Sequence, residues 1–161
     1  MGSLADKIRQ ARRVGLDTSL FIFYLEDHPR YLSLCDEVFD LLEQGGAEAV
    51  TSTVSLLEVL VQPLALGKTD LVDEYRSFLT ATPHLTLRAL DPVLAERAAA
   101  LRARYQILRT PDAAQLAAAI EFGARLYLTN DDRLGKVTEI EVIVLERWLQ
   151  GQAPTQTDGE V

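Results

Sequence analysis

The sequence predicts an α/β protein, a mostly parallel sheet with helices on both faces. Three observations predict it. Short apolar runs of strand length alternate with longer stretches of helical periodicity along the chain. Several of those stretches open on a capping side chain or a proline and close on glycine. Polar residues, several of them acidic, stand where strands end, which is the side of an open α/β sheet that faces a ligand crevice.

The chain has 161 residues, enough for one domain with its own core. Hydrophobic residues make up 48% and charged residues 25%, the balance of a soluble globular protein. No apolar run approaches the roughly 18 residues of a membrane span. Met1 to Arg13 carries charge throughout and lacks the apolar stretch of a signal peptide. Cys35 is the single cysteine, which excludes an internal disulfide framework and a thiolate zinc site and points to a reducing cytoplasm. A net charge of −8 argues against binding nucleic acid through a broad basic surface. It does not argue against reaching phosphates through bound cations.

Residues 1–13 are expected to be a frayed helical arm or a disordered lead-in, locally basic through Lys7, Arg9, Arg12 and Arg13. The first strand is Val14 to Leu16, and a helix follows from Ser19 to Glu26. His28-Pro29 breaks that helix, because proline disfavours helical geometry in the residue before it. The next helix runs from Pro29 to Glu43, with Leu34, Val38, Leu41 and Leu42 on one face, and Gly45-Gly46 ends it. Glu48 to Thr51 is a second strand, followed by a helix from Thr53 to Leu66 that Pro63 kinks or ends. Residues 70–80 form a helix with Leu71, Tyr75, Phe78 and Leu79 on one face, facing either the core or a partner. Leu85 to Leu90 is a third strand.

Asp91-Pro92 and Thr110-Pro111-Asp112 are two further helix starts with proline in the first turn. Leu94, Ala98, Leu101 and Tyr105 form the buried stripe of the first, and the second is alanine-rich and ends near Gly123. Arg125 to Thr129 and Glu141 to Leu145 are the last two strands, with a turn and one helical turn between them. The domain is expected to span residues 14–149, with 150–161 a polar, disordered tail.

Four carboxylates are candidates for chemistry. Asp17 ends the first strand, Glu58 interrupts the apolar run Val54 to Val61, Asp112 lies in the first turn of a helix, and Asp131 follows the fourth strand. Each has a plain structural reading. Asp17 and Asp131 can cap, Asp112 can compensate the helix dipole, and Glu58 can close a capping box with Ser55. Ser52 or Thr53 is the better cap, however, which leaves Glu58 an acid in an apolar second turn that needs a partner. In a parallel sheet all four can converge on one rim. Four carboxylates without histidine or cysteine specify a hard divalent cation, magnesium or manganese. Such a cluster repels itself unless a cation is present.

At these residues the chain resembles the PIN domain family. The segments are Asp17-Thr18-Ser19 after a strand, Ser55-Leu56-Leu57-Glu58 in a helix, Thr110-Pro111-Asp112-Ala113-Ala114-Gln115-Leu116 opening a helix, and Thr129-Asn130-Asp131 after a strand. Their order, their spacing and the chain length are similar to the VapC-type ribonuclease toxins of bacterial toxin–antitoxin pairs. The resemblance covers residues 14 to 149 and implies a three-layer α/β/α fold around a five-stranded parallel sheet with the first strand near the centre. It implies Mg²⁺-dependent (or Mn²⁺-dependent) hydrolysis of single-stranded RNA to 5′-phosphate and 3′-hydroxyl ends. Asp17, Glu58, Asp112 and Asp131 would hold one or two ions, with Thr18 and Thr129 in support. It also implies a homodimer and an antitoxin that occludes the acidic groove. Within the Asp131-Asp132 pair, the Thr-x-Asp pattern favours Asp131.

Arg97, Arg102, Arg104 and Arg109 are candidate phosphate contacts, with a solvated helix face as the plain alternative for at least half of them. Leu66-Gly67-Lys68-Thr69 imitates the end of a phosphate-binding loop, but Gln62 stands where that loop needs glycine. Cys35 shares a face with Leu34 and Val38 and reads as a core thiol. Two other functions compete with a toxin: an RNA-processing PIN nuclease without an antitoxin, and a catalytically silent PIN-like interaction module.

Overall fold

The computed structural model describes residues 2–152. Of the disordered tail expected over 150–161, residues 150–152 are instead the end of the last helix, and the rest lies outside the described residues. The elements in order are α1 (Leu4–Ala11), β1 (Arg13–Leu16), α2 (Thr18–Leu25), α3 (Leu32–Glu43), β2 (Glu48–Ser52), α4 (Thr53–Ala65), α5 (Thr69–Ala81) and β3 (Leu85–Arg88). Then follow α6 (Pro92–Arg104), α7 (Thr110–Glu121), β4 (Leu126–Thr129), a 3-10 helix (Asp132–Lys136), β5 (Glu141–Val144) and α8 (Leu145–Gln152). The five strands form one sheet in the order β3-β2-β1-β4-β5, and every pairing is parallel. The three-layer α/β fold expected from the sequence is the one observed.

Alternate residues of the central strands serve the two faces, which is why those strands are apolar throughout. Val14 and Leu16 of β1 and Leu126 and Leu128 of β4 join the core beneath α1 to α5 and α8. Tyr127 of β4 joins the core beneath α6 and α7. Gly15 faces that same side. A Cβ there would stand 2.4 Å from the Ala119 Cβ and 2.9 Å from Tyr127, so glycine lets α7 lie directly on β1. The alanines of α7 complete this close contact: Ala113, Ala114, Ala117, Ala118 and Ala119 are all buried.

Three segments depart from expectation. Residues 4–11 are neither frayed nor a lead-in. Ser3 and Asp6 form a reciprocal capping box, and Leu4 and Ile8, one turn apart, are fully buried in the core. Charges on the other side of the turn obscured that pair. Helix α3 begins at Leu32 rather than Pro29, and α4 continues past Pro63 to Ala65. Tyr75 is buried and Leu71 and Phe78 pack on the core, so core packing accounts for that face of α5. Cys35 is buried, and burial pushes its thiol up to about 12, as fits an inert core group. Among the described residues no helix is long and apolar enough to cross a membrane.

Candidate active site

The strand order reverses direction between β1 and β4: the chain first builds outward through β2 and β3, then returns to β4 and β5. In open α/β sheets the crevice beyond the carboxyl ends of the two strands at that point is where ligands bind. Asp17 leaves β1 and Asp131 follows β4, so the topology brings two of the candidate acids to the two lips of one crevice. Helix α4 brings Glu58 and the first turn of α7 brings Asp112. All four carboxylates line one cleft of about 650 Å³, together with Ser19, Arg109, Gln115 and Arg133.

Asp17 caps α2 and also faces the cleft; the two readings are not alternatives. Its Oδ1 accepts from the Thr18 N–H at 2.8 Å and its Oδ2 from the Thr129 hydroxyl at 2.5 Å. Burial pushes its carboxyl up to about 6, against these two donors, and the charges of Asp112 and Glu58 add to the rise. Asp112 likewise does two things. It accepts from the Arg109 N–H at 2.9 Å, capping α7 through Oδ2, and its side chain reaches the cleft.

Glu58 is not buried, contrary to expectation. It lies on the outer face of α4 with Leu57 64%, Val61 58% and Leu64 61% exposed, while Val59 beside it turns into the core. It does have the partner its position requires, since the Thr18 hydroxyl donates to Glu58 Oε1 at 2.9 Å. Ser52, not Ser55, caps α4. Asp131 accepts two hydrogen bonds from the Arg133 Nε, at 3.0 and 3.1 Å, another from its Nη2, and one from its backbone N–H. That guanidinium holds the Asp131 carboxyl below its usual value. Asp132 is exposed and pairs with Arg147 at 2.7 Å, which separates the two neighbouring acids. Asn130 accepts the Glu146 N–H at 2.9 Å and so anchors the intervening turn to α8.

Of the four candidate phosphate contacts, only Arg109 lines the cleft. Arg97 and Arg104 border a separate groove between α6 and α7, where Arg104 pairs with Glu139. Arg102 donates to the Leu108 carbonyl and to the Thr110 hydroxyl, tying α6 to the start of α7.

Beneath the acids lies a polar network that sequence reasoning missed. Ser55, Thr51 and Gln115 are buried. The backbone N–H of Ser52 can only donate, and it meets Gln115 Oε1 at 2.9 Å, so the amide orientation is determined. Gln115 Nε2 therefore donates to the hydroxyls of Thr18, at 3.0 Å, and Ser55, at 2.5 Å. The Thr18 hydroxyl proton goes to Glu58, because a carboxylate can only accept. Gln115, by donating to the same oxygen, holds Thr18 in place for that bond. The available signal was Gln115 itself, the one polar residue in the run Ala113 to Ile120. Gln115→Met should destabilise the protein by about 2 kcal/mol or more, because the buried Ser52 N–H loses its acceptor. Urea unfolding checks this, and an unchanged midpoint would count against the network.

The donor set is oxygen only, as hard divalent cations require. Among the described residues no three ligating side chains are gathered tightly enough to hold one ion as they stand. Three other observations fit a cation. Asp17, Asp112 and Glu58 are close enough for the latter two to raise the first. Ser19, in the cleft wall, has a hydroxyl shut from solvent with no partner. The Tyr127 hydroxyl, on a fully buried side chain, lies beside Asp17 and feels the charges of Asp17, Asp112 and Glu58. An unpaired buried hydroxyl beside mutually repelling carboxylates is what a bound ion with its water would complete.

The sequence profile of the PIN domain family matches residues 14–140. The chain belongs to the PIN domain family. No curated protein sequence matches it. Several solved structures share the PIN fold at low identity. One is VapBC2 from Rickettsia felis bound to a promoter DNA fragment, at 16% identity and a TM-score of 0.58, covering 82% of this chain and 98% of that one. A toxin–antitoxin complex from Klebsiella pneumoniae matches at 18% identity and a TM-score of 0.60, covering 83% and 97%. DNA-bound VapBC from Salmonella typhimurium matches at 17% identity and 0.59, covering 83% and 98%.

Proposed function

We propose that this PIN domain is a divalent-metal-dependent endoribonuclease, the toxin of a toxin–antitoxin pair. The observation that carries the reading is the meeting of Asp17, Glu58, Asp112 and Asp131 in one cleft at the β1/β4 reversal. Asp17, Glu58 and Asp112 would hold Mg²⁺ or Mn²⁺. When bound, the ion lowers the pKa of water and neutralises charge developing on a phosphate.

The chain's own residues prepare that site. Thr129 and the Thr18 N–H orient Asp17, Thr18 orients Glu58, and Gln115 orients Thr18. Arg109 stands at the mouth, where it can meet a backbone phosphate. With a net charge of −8 and an acidic cleft, the protein repels RNA until cations enter.

Two observations support an antitoxin. The similar solved structures include toxin–antitoxin complexes. In addition, Leu57, Val61 and Leu64 form an exposed apolar stripe along α4, next to Glu58. A partner lying on that stripe would cover the cleft as well, which favours a toxin over an RNA-processing nuclease without an inhibitor.

The test is cleavage of single-stranded RNA by purified protein in Mg²⁺, Mn²⁺ and EDTA. Cleavage is expected with either ion and not in EDTA. Asp112→Asn should lower it by about two orders of magnitude or more. Asparagine still caps α7, so that loss would report the charge rather than the helix. Absence of cleavage with every divalent ion, or full activity in Asp112→Asn, would overturn the reading.

A further inference from the structure

We infer that the cleft takes one divalent ion rather than two, because the Arg133 guanidinium stands where a second cation would bind, between Asp131 and Asp112. The inference rests on the metal-dependent reading above and settles the number of ions in that reading.

The cleft divides into two unlike halves. On one side Asp17 and Glu58 accept only from neutral donors: the Thr18 N–H, the Thr18 hydroxyl and the Thr129 hydroxyl. Among the described residues no cationic side chain pairs with either of them, and the unpartnered Ser19 hydroxyl lies in the same cleft wall. On the other side Asp131 is engaged on both oxygens by Arg133, through Nε at 3.0 and 3.1 Å and through Nη2. The same Nη2 is 3.6 Å from Asp112 Oδ2, so one guanidinium faces two of the four acids. Asp112 lies between the halves.

Arginine suits this position because its charge is permanent and its planar fork matches a carboxylate. The backbone keeps the guanidinium there. Arg133 is in the first turn of the 3-10 helix, its own N–H donates to Asp131 Oδ1 at 3.0 Å, and the next residue, Leu134, is fully buried. An ion entering the Asp131 side would lose both carboxylate oxygens to Arg133 and stand against its positive charge. An ion entering the Asp17 side meets neither obstacle. When RNA enters, the guanidinium is already in the cleft wall and can meet a phosphate, which none of Arg97, Arg102 and Arg104 can do from their places.

The test is Mn²⁺ titration of the full chain, with bound and free ion separated by electron paramagnetic resonance. Wild type is expected to bind one Mn²⁺ per chain. Arg133→Met, which keeps the apolar stem and removes the charge, should bind two. Arg133→Lys, which keeps the charge, should stay at one. Thermal melting in EDTA establishes that each variant is folded, and the wild-type stoichiometry alone tests the inference if Arg133→Met is not. Two ions in wild type, or one ion in Arg133→Met with the wild-type Kd, would overturn the inference and leave the nuclease reading standing. No ion in wild type, even with a non-cleavable oligonucleotide present, would overturn the metal reading together with it.

Discussion

Asp17→Asn is expected to abolish RNA cleavage, by about a thousandfold or more, and at the same time to raise the melting temperature in EDTA at neutral pH. Both effects come from one group. Asp17 is the most deeply placed of the four acids, with both oxygens engaged, and burial pushes its carboxyl up to about 6 from an ordinary 3.8. A carboxyl raised in the folded state binds its proton more tightly there than in the unfolded chain. Its contribution to stability is therefore complete below about pH 4 and is lost as pH rises through about 6. A shift from 3.8 to about 6 corresponds to at most about 3 kcal/mol, less after allowance for the open side of the cleft. Asparagine has no such titration.

Melting curves of wild type and Asp17→Asn in EDTA should therefore coincide near pH 4 and separate between pH 4 and pH 7, with the variant higher. Adding Mn²⁺ should raise the wild type alone, by mass action. Parallel pH profiles would show that Asp17 is not strained by burial. A shared rise with Mn²⁺ would show that it does not hold the ion.

Gly15→Ala is the second large effect, and it is one of stability. The added methyl would stand 2.4 Å from the Ala119 Cβ and 2.9 Å from a Tyr127 ring carbon. Neither neighbour is a flexible chain end. Ala119 can yield only by moving α7, and Tyr127 is fully buried. Overpacking of this kind costs about 3 kcal/mol, which in a domain of this size lowers Tm by roughly 10 °C. Activity should fall beyond the loss of folded protein, because β1 carries Asp17 and α7 carries Asp112. Gly46→Ala is the internal comparison. Its new methyl meets the terminal Leu41 Cδ1 at 2.3 Å, and a leucine end can rotate away, so a smaller loss is expected. Equal melting of the two variants would refute the account of Gly15 as a close-packing position.

Most elements were legible from the sequence because their signals are local. A cap, a proline and a periodic face determine α6, with Asp91 and Pro92 in the places expected of them, and Pro111 places the start of α7, where Thr110 is the first helical residue rather than the cap. The rim position of Asp17 and Asp131 was legible for the same reason, since a polar residue at a strand end needs only the strand to place it. Where local pattern misled, burial was the cause. The apolar neighbours of Glu58 were read as core, yet Leu57, Val61 and Leu64 face outward. The basic first segment was read as loose, yet Leu4 and Ile8 carry it into the core.

The sequence by itself determined the alternation of strands and helices, the caps that start them and the four acids that could meet. Each of those depends on residues within about one turn of each other. Only the tertiary structure decided that Gln115 orients Thr18 across 97 positions, that Arg109 alone of its group reaches the cleft, and that Arg133 claims Asp131 and faces Asp112. Hydrogen bonds and ion pairs of that reach depend on which strand ends lie side by side, and strand order is set by packing of the whole sheet rather than by any one segment of the chain.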